Sequence, residues 1–295
     1  MKRIVLLGGC GYIGSQLYSA LKLKHYHVDT VDAEWFGNYN NPDNIKCDYS
    51  ELPATFFKKY DVVILLAGHS TVGMCDDDKI GAIKNNIDNF ALLLSKLKKQ
   101  KLIYASTYRI YDGISGHPVK ETENFQEPSS VYTLTKKTID YYASLSDIEF
   151  YSLRMATVNG YSPNLRTNQI INKLFLESRK KKILTVYDTE KIFTALGIRD
   201  LCLCIEKIIT AEDKRGIYNL GSFNTTISEI TRILSGNSKT FTVRINNSHD
   251  SRFHMQIGTE KFQQAYNFRF SETIQSILLS LEDNISAKTH LLSSK

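Results

Sequence analysis

One tyrosine and one lysine, Tyr132 and Lys136, stand four residues apart in the sequence. Four residues make about one turn of an α-helix, so this spacing places a phenol and an ammonium group on the same helical face. A cation beside a phenol stabilises the ionised form and lowers the pKa from about 10 toward the range in which tyrosine exchanges a proton with an alcohol. The pair therefore predicts acid–base chemistry at Tyr132, with Lys136 lowering the pKa of the phenol.

The spacing alone is not specific, because the chain contains it three times, at Tyr18/Lys22, Tyr132/Lys136 and Tyr187/Lys191. Only Tyr132 begins a predicted helix that follows a buried-type strand, since that strand ends at Thr107, 25 residues earlier. A threonine hydroxyl there can hydrogen-bond the same reacting oxygen. The sequence predicts that Thr107, Tyr132 and Lys136 surround one carbonyl or alcohol. The alternative is a tyrosine that only packs at the start of a helix.

A glycine-rich turn joins a short apolar strand to a helical pattern, in the order Gly8-Gly9-Cys10-Gly11-Tyr12-Ile13-Gly14. Glycine at position 8 permits a tight turn, glycine at 11 lets the backbone approach a pyrophosphate, and glycine at 14 lets the helix pack against the strand. The amides at the helix N-terminus are donors for phosphate oxygens. The arrangement predicts a dinucleotide site; the alternative is a glycine-rich turn in another kind of α/β protein.

The second predicted strand leads to Asp32, 18 residues after Gly14. An acid at this strand end can accept hydrogen bonds from both hydroxyls of an adenosine ribose, and it repels the 2′-phosphate of NADP. The residues that follow, Ala33 to Phe36, include no arginine or lysine to bind that phosphate. The sequence therefore predicts NAD rather than NADP as the cofactor.

The elements that must position these residues alternate between strand and helix. Apolar strands are predicted over Asp61–Gly68, Leu102–Thr107 and Phe150–Arg154, and helices over Lys79–Lys99 and Val131–Ala143. Such strands are typical of a parallel sheet covered on both faces. We predict an α/β fold with a Rossmann-type, doubly wound parallel sheet. Small residues at Ala67 and Gly68 would let a cofactor lie against its carboxyl edge.

The remaining segments are shorter or less regular. A third strand is predicted over Ile45–Tyr49, where Asp48 either holds an adenine amino group or is a solvent-facing loop acid. Further on, the patterns predict helices over Asn168–Ser178, Asp200–Ile209 (capped by its own Asp200) and Thr226–Leu234, and strands over Ile183–Tyr187 and Ile217–Gly221. We predict an NAD-binding domain over 1–165, to which 198–222 returns, and a smaller, discontinuous C-terminal substrate domain over 166–197 and 223–295.

The composition is that of an ordinary globular protein, with 295 residues, 42% hydrophobic and 23% charged. Its net charge of +6 is spread along the chain, which favours an anionic small substrate or simple solubility over nucleic acid. Five cysteines without metal-type spacing predict no metal site and buried thiols in a reducing compartment. With no targeting segment before the first strand and no apolar run near the roughly 20 residues that span a bilayer, we expect a cytoplasmic protein without membrane contact.

Ten stretches, in order along nearly the whole chain, are similar to one family. They are GGCGYIG, VDTVD, LLAGHSTV, NNIDNFALLL, YASTYRIYD, PSSVYTLTK, LRMATVNGYSPNLR, IRDL, YNLG and DSRFHMQIGTEK. The chain resembles the NAD-dependent epimerase/dehydratase family of extended short-chain dehydrogenases, which act mostly on nucleotide sugars. The resemblance implies NAD as cofactor, a nucleotide sugar as small-molecule partner, and a homodimer joined by the helices predicted at Lys79–Lys99 and Val131–Ala143.

The resemblance also implies roles for individual residues. Thr107, Tyr132 and Lys136 would be catalytic, with Lys136 also holding the nicotinamide ribose. The NAD site would be lined by Gly8, Gly11, Tyr12, Ile13, Asp32, Asp48, Leu66, Ala67, Gly68 and Asn86, together with Tyr132 and Lys136. Substrate contacts would come from Thr157, Arg166 and Arg252, although Arg252 is alternatively an ordinary surface arginine. His69 follows the predicted cofactor edge and either touches the substrate or packs.

The chain departs from the family pattern at two places. Tyr108 and Arg109 stand where sugar 4,6-dehydratases carry an Asp-Glu pair, so dehydration would lose its acid and base. Phe193 and Gly197 stand where the family often has an arginine and a histidine, and that arginine commonly holds the nucleotide diphosphate.

The leading functional hypothesis is an NAD-dependent sugar-nucleotide epimerase that acts through a transient 4-keto intermediate, with Tyr132 as acid and base. An NAD(H)-dependent nucleotide-sugar 4-reductase or dehydrogenase would use the same residues. A non-catalytic NAD-binding scaffold or redox sensor would need only the fold, and an intact Thr107, Tyr132 and Lys136 set is evidence against it.

Overall fold

The computed structural model describes residues 2–114, 116–123, 127–212, 214–237, 241–246 and 255–293. The strands are β1 (Arg3–Leu7), β2 (His27–Val31), β3 (Val62–Leu65), β4 (Lys101–Thr107), β5 (Phe150–Met155), β6 (Thr157–Asn159), β7 (Ile183–Tyr187), β8 (Phe193–Gly197), β9 (Gly216–Leu220), β10 (Phe223–Thr225) and β11 (Thr242–Asn246).

The α-helices are α1 (Tyr12–Leu23), α2 (Ala54–Phe57), α3 (Val72–Asp77), α4 (Lys79–Ile83), α5 (Asn89–Lys96), α6 (Val131–Ser144), α7 (Ile170–Lys180), α8 (Ile198–Thr210), α9 (Ile227–Asn237), α10 (Glu260–Tyr266) and α11 (Ile274–Ser293). Single turns of 3₁₀-helix cover Tyr49–Glu51 and Tyr108–Tyr111, and a π-helical turn covers Lys84–Asp88. No helix of the described residues is both long and apolar enough to cross a membrane.

Six parallel strands form the central sheet, in the order β2-β1-β3-β4-β5-β9. Every residue of β3 and β5 is buried, because helices cover both faces of the sheet. One face packs with α1, α8 and α10 and the other with α2, α5 and α6. The predicted doubly wound parallel sheet is therefore confirmed, including the return of β9 to it.

The second half contributes two small sheets and a third apolar cluster. One sheet has the order β10-β8-β6, and the other pairs β7 with β11 in parallel. Apolar side chains of α7, α9 and α11 pack with β7 and β8 in this cluster. The division into an NAD-binding and a substrate domain stays a prediction.

Three predicted elements differ from the structure. The strand expected over Ile45–Tyr49 is one bridge between Ile45 and Val31, because Asp48 accepts a hydrogen bond from the Ser50 amide and starts a 3₁₀ turn. The helix α8 begins after Gly197, and the buried Asp200 does not cap it. Its carboxylate instead accepts hydrogen bonds from the Ser222 hydroxyl and the Ser271 and Glu272 amides.

The helix predicted over Lys79–Lys99 is interrupted. It consists of α4, the π-helical turn and α5, and it ends at Lys96. Leu93 and Leu97 are buried as the pattern predicts, but Ile80, Ile83 and Leu92 are exposed. The predicted apolar face is therefore only partly covered within this chain.

Candidate active site

A cavity of about 660 Å³ lies along the carboxyl edge of the central sheet. This volume is typical of small-molecule and cofactor sites. Its lining includes these predicted residues: Gly8, Gly11, Tyr12, Ile13, Asp32, Asp48, Leu66, Ala67, Gly68, Thr107, Tyr132, Lys136, Thr157 and Arg166. The strand order explains how distant sequence positions meet there, since parallel strands end at the same edge.

The start of α6 places Tyr132 beside the end of β4. Ser130 caps the helix reciprocally with Thr133: its hydroxyl accepts from the Thr133 amide, and the Thr133 hydroxyl accepts from the Ser130 amide. Tyr132 lies in the first turn, where its phenol is hydrogen-bonded to the Thr107 side chain. One turn later, Lys136 Nζ donates to the Ala105 carbonyl at 2.9 Å. The structure thus brings Thr107, Tyr132 and Lys136 together.

Burial dominates the electrostatics of this set. It raises the pKa of Tyr132 above its usual value, against the Thr107 hydrogen bond and the positive charges of Arg166 and Arg109, which lower it. Burial also lowers the pKa of Lys136 to about 8, against the opposing effects of Cys75 and Asp140. The prediction of a lowered Tyr132 pKa is therefore wrong for this structure, because a phenolate is costly to form away from water.

A buried network fixes α6 against the sheet. Asp140, one turn after Lys136, accepts hydrogen bonds from the side chains of Tyr104 and Ser106 on β4 and of Ser152 and Arg154 on β5. Its ion pair with Arg154 spans 2.9 Å from Nε to Oδ2, and both side chains are almost fully buried. The network sets the distance between α6 and β4, and hence between Tyr132 and Thr107.

The glycines of the first turn serve different purposes. A Cβ at Gly8 would lie 2.5 Å from the Ala67 nitrogen, and one at Gly14 would lie 2.0 Å from the Gly8 oxygen. Both positions therefore need glycine for the packing of the protein itself. At Gly11 a Cβ would meet only the Gly8 oxygen, at an ordinary 3.5 Å. The space beside Gly11 belongs to the cavity, so a phosphate could lie against its backbone.

Asp32 and Asp48 both line the cavity, and the carboxylates of both accept hydrogen bonds from backbone amides. The two Asp32 oxygens accept from the Cys10 and Glu34 amides, at 2.9 and 2.7 Å. Because a carboxylate offers about four lone-pair directions, acceptor sites remain on Asp32 for two hydroxyl groups. The other oxygen of Asp48, Oδ2, is the acceptor available to an adenine amino group.

Asn86 does not line the cavity. It is buried in the π-helical turn, where its amide group donates to the His69 carbonyl and the Thr135 hydroxyl and its oxygen accepts from the His69 amide. A Cβ at Gly68 would lie 2.4 Å from that oxygen, so the contact requires glycine. The direct cofactor contact predicted for Asn86 is thus corrected: the side chain ties the end of β3 to α6.

His69 is also outside the cavity lining. Its ring lies edge-on to Trp35, with 5.5 Å between ring centroids, and its Nε2 is 3.6 Å from a carboxylate oxygen of Asp78. This geometry matches the packing alternative rather than a substrate contact. Arg252 lies outside the described residues.

The two other predicted substrate residues do line the cavity. The Thr157 hydroxyl is 3.1 Å from the Tyr108 hydroxyl, and Arg166 donates to the Ser70 hydroxyl at 3.1 Å. Phe193 and Gly197 line no part of it. A Cβ at Gly197 would lie 2.0 Å from the Glu272 carboxylate, which explains why glycine stands there.

Several lining residues were not predicted from the sequence. Trp35 and Phe36 line the cavity while about half exposed, at 53% and 54%. The available signal was the pair of adjacent aromatic residues three and four positions after Asp32. Asn164 donates to the Cys10 and Phe36 carbonyls, so it holds this segment to the glycine turn. Arg109 also lines the cavity, although sequence reasoning noted it only as a departure from a family pattern.

Known proteins share both the sequence pattern and the fold of this chain. The model of the NAD dependent epimerase/dehydratase family matches residues 4–221, so the chain belongs to that family. Among curated relatives, a dTDP-D-glucose 4,6-dehydratase of Dictyostelium discoideum is 25% identical over 254 residues, which are 75% of this chain. The chain spans only 58% of that relative's length.

Two solved structures have the same fold. A UDP-glucose-4-epimerase from Stenotrophomonas maltophila, with bound NAD and formylated UDP-arabinopyranose, has a TM-score of 0.88 at 16% identity, covering 99% of this chain and 100% of its own. A UDP-glucuronic acid 4-epimerase from Bacillus cereus, in complex with UDP-glucuronic acid and NAD, has a TM-score of 0.84 at 23% identity, covering 97% and 99%.

The Asp140 network predicts a large stability difference between two ion-pair deletions. Asp140→Ala leaves the Arg154 charge buried without its carboxylate and should lower the free energy of unfolding by about 3–5 kcal/mol. Glu177→Ala removes an exposed pair with Lys181 and should cost no more than about 0.5 kcal/mol. Urea unfolding measures both, and equal losses would contradict the central role of Asp140.

Proposed function

We propose that this protein is an NAD-dependent nucleotide-sugar epimerase that works through a transient 4-keto sugar. The observation that supports it is the joining of Tyr132, Thr107 and Lys136 in one cavity with Gly11 and Asp32. The cavity thus combines a proton-exchanging set with a surface suited to a dinucleotide. The acids among its described lining residues are Asp32 and Asp48, so the acid–base pair that elimination of water needs is missing beside Thr107.

The residues present fit NAD. Gly11 and the start of α1 offer an open backbone surface for the pyrophosphate, and Asp32 keeps acceptor sites for the ribose hydroxyls. Tyr12, Ile13, Leu66, Ala67 and Gly68 enclose the space between them. Bound NAD would supply the hydride acceptor for carbon 4 of the sugar.

In this proposal, the phenolate form of Tyr132, which the charges of Arg166 and Arg109 favour against the effect of burial, removes the proton of the C4 hydroxyl while C4 gives up a hydride. The Thr107 hydroxyl hydrogen-bonds the same oxygen and orients it. Lys136, whose pKa is about 8, is mostly protonated at neutral pH and holds positive charge near the phenol. After the keto sugar turns, it regains the hydride on its other face and the proton from Tyr132. Proton and hydride both return, so no net oxidation occurs.

We also propose a homodimer, supported by exposed apolar side chains on adjacent helices. Those on α4 and α5 are Ile80, Ile83 and Leu92, and those on or directly after α6 are Leu134, Tyr141, Tyr142 and Leu145. Since α6 contacts both α4 and α5, these side chains can form one surface. Burial against a second copy would remove it from water.

The epimerase proposal predicts product without added reductant. Purified protein with bound NAD, incubated with nucleotide sugars, should yield the C4 epimer in NMR spectra. Tyr132→Phe should lower the rate by roughly 10²–10⁴-fold, because no phenol then exchanges the proton. Tyr18→Phe removes the tyrosine of another Tyr/Lys pair with the same spacing, on α1, and should leave the rate unchanged. Stoichiometric formation of NADH with an oxidised product would show an oxidoreductase instead.

The glycine turn predicts that two similar substitutions act differently. Gly11→Ala should keep the melting temperature, because its Cβ fits, yet weaken NAD binding at least tenfold by filling the phosphate approach. Gly14→Ala should lower the stability by about 1–3 kcal/mol, because its Cβ collides with the Gly8 oxygen. Calorimetry and thermal melting separate the two effects; full NAD affinity in Gly11→Ala would contradict the site.

The pH profile of epimerisation should depend on Arg166. The phenolate is the active base, so kcat/KM rises with pH through the Tyr132 pKa of the substrate-free protein. Arg166→Gln removes a charge that lowers this pKa, and the acidic limb should move to higher pH. Arg179→Gln, in an exposed ion pair on α7, serves as the control and should leave the limb in place. If the pH profiles of the two variants were identical, Arg166 would not be a residue that lowers the Tyr132 pKa during the reaction.

The dimer proposal predicts a specific response to added charge. Leu92→Arg combined with Leu134→Arg places two cations on the exposed apolar surface of α5 and α6 and should give monomers. Leu279→Arg, at an exposed leucine of α11, should remain dimeric. Light scattering after size exclusion measures both masses. A dimeric double variant would rule out this surface.

A further inference from the structure

The charges that line the cavity are unevenly distributed. Its described acids, Asp32 and Asp48, follow β2 or lie in the loop after it. Its cations are Lys136, Arg109 and Arg166, and the two arginines both act on the Tyr132 phenol. Because Tyr132 lies beside the end of β4, several strands away from β2, these cations lie at the reacting end of the cavity and the two acids lie away from it. A diphosphate can neutralise part of this charge, so the position of each cation matters.

Arg109 lines the cavity next to the reacting centre, where its charge acts on the Tyr132 phenol. It is in the 3₁₀ turn that follows β4 directly, and its amide donates to the Thr107 hydroxyl oxygen at 3.2 Å. In a pyranose the diphosphate is attached at C1, across the ring from C4. Since the Arg109 charge acts on the Tyr132 phenol, a substrate group that reaches the guanidinium is carried by C3 or C5, the two carbons beside C4.

The guanidinium of Arg109 is only partly used by the protein. Its Nη2 donates to Asp112 at 2.9 Å, and the same Asp112 oxygen also accepts from the Ser129 hydroxyl. Its Nε is buried and has no hydrogen-bond partner within the described part of the chain. A buried donor without an acceptor is unfavourable, so a small shift of the guanidinium toward a ligand oxygen would be stabilising. The side chain lines the cavity and is 19% exposed, so a ligand can reach the guanidinium.

We propose, on the basis of the proposed epimerase function, that the substrate is a nucleotide-linked hexuronic acid whose C6 carboxylate binds Arg109. C5 is a neighbour of C4, and it carries the ring substituent that can be oxidised to a carboxylate. The planar guanidinium matches a carboxylate in shape and charge, and its hydrogen bonds to an ionised group are the stronger kind. Arg109 is thus a specificity-determining residue.

Calorimetry on the NAD-loaded protein tests this with matched ligand pairs: UDP-glucose against UDP-glucuronic acid, and the dTDP-linked pair likewise. The wild type should bind the uronate at least tenfold more tightly than the hexose on the same nucleotide. Arg109→Gln should abolish this preference without weakening hexose binding. Asp112→Asn should keep or increase the preference, because it frees the guanidinium from a competing carboxylate.

If Arg109 only stabilises the fold through its ion pair with Asp112, different results are expected for the two variants. Arg109→Gln and Asp112→Asn would then lower the melting temperature alike and weaken both ligands equally, which would overturn the proposal. Absence of a uronate preference in the wild type, or of any binding, would overturn it too. NMR analysis of products keeps the two proposals apart. Uronate preference without an epimer refutes only the epimerase reaction, and epimerisation of hexoses without uronate preference refutes only the substrate class.

Discussion

The buried ion pair between Asp140 and Arg154 is the interaction on which the site depends. Asp140 belongs to α6 and Arg154 to β5, and the same carboxylate accepts from two side chains of β4. Removing two charges from water is costly unless their remaining hydrogen-bonding groups are satisfied. Asp140 meets that condition with four donors, so α6 has one favourable position on the sheet. Tyr132 and Lys136 are carried on that helix.

A second buried cluster acts in the same way at the end of β3. Asn86 joins the His69 backbone to Thr135 of α6, and Gly68 leaves the space that this requires. The π-helical turn widens the helix locally at Asn86, a feature that is frequent near functional sites. The shape of the cavity therefore also depends on Asn86, a side chain that does not line it. Its hydrogen bonds hold in place the segments that do.

The electrostatics of the cavity follow from burial more than from any single pair. Burial raises the pKa of Tyr132 and lowers that of Lys136, which opposes the charged form of each. The arginines near Tyr132 act in the opposite direction. A ligand that excludes more water and adds negative charge would alter this balance, so the protonation state of the phenol is coupled to what occupies the site.

The sequence by itself determined the alternating strands and helices, the glycine turn, the acid after β2 and the Tyr132–Lys136 spacing. These features are local: they depend on hydrophobic periodicity, on backbone freedom at glycine and on the geometry of one helical turn. Only the tertiary structure decided that Asn86 and His69 lie behind the cavity wall, that Asp200 anchors the segment before α11, and that Arg109 and Trp35 line the site. Those outcomes depend on contacts between distant segments, whose distances and burial no local pattern encodes. The tertiary structure also decided that the Tyr132 pKa is raised rather than lowered, because the cost of removing a phenolate from water arises only when the folded chain buries Tyr132.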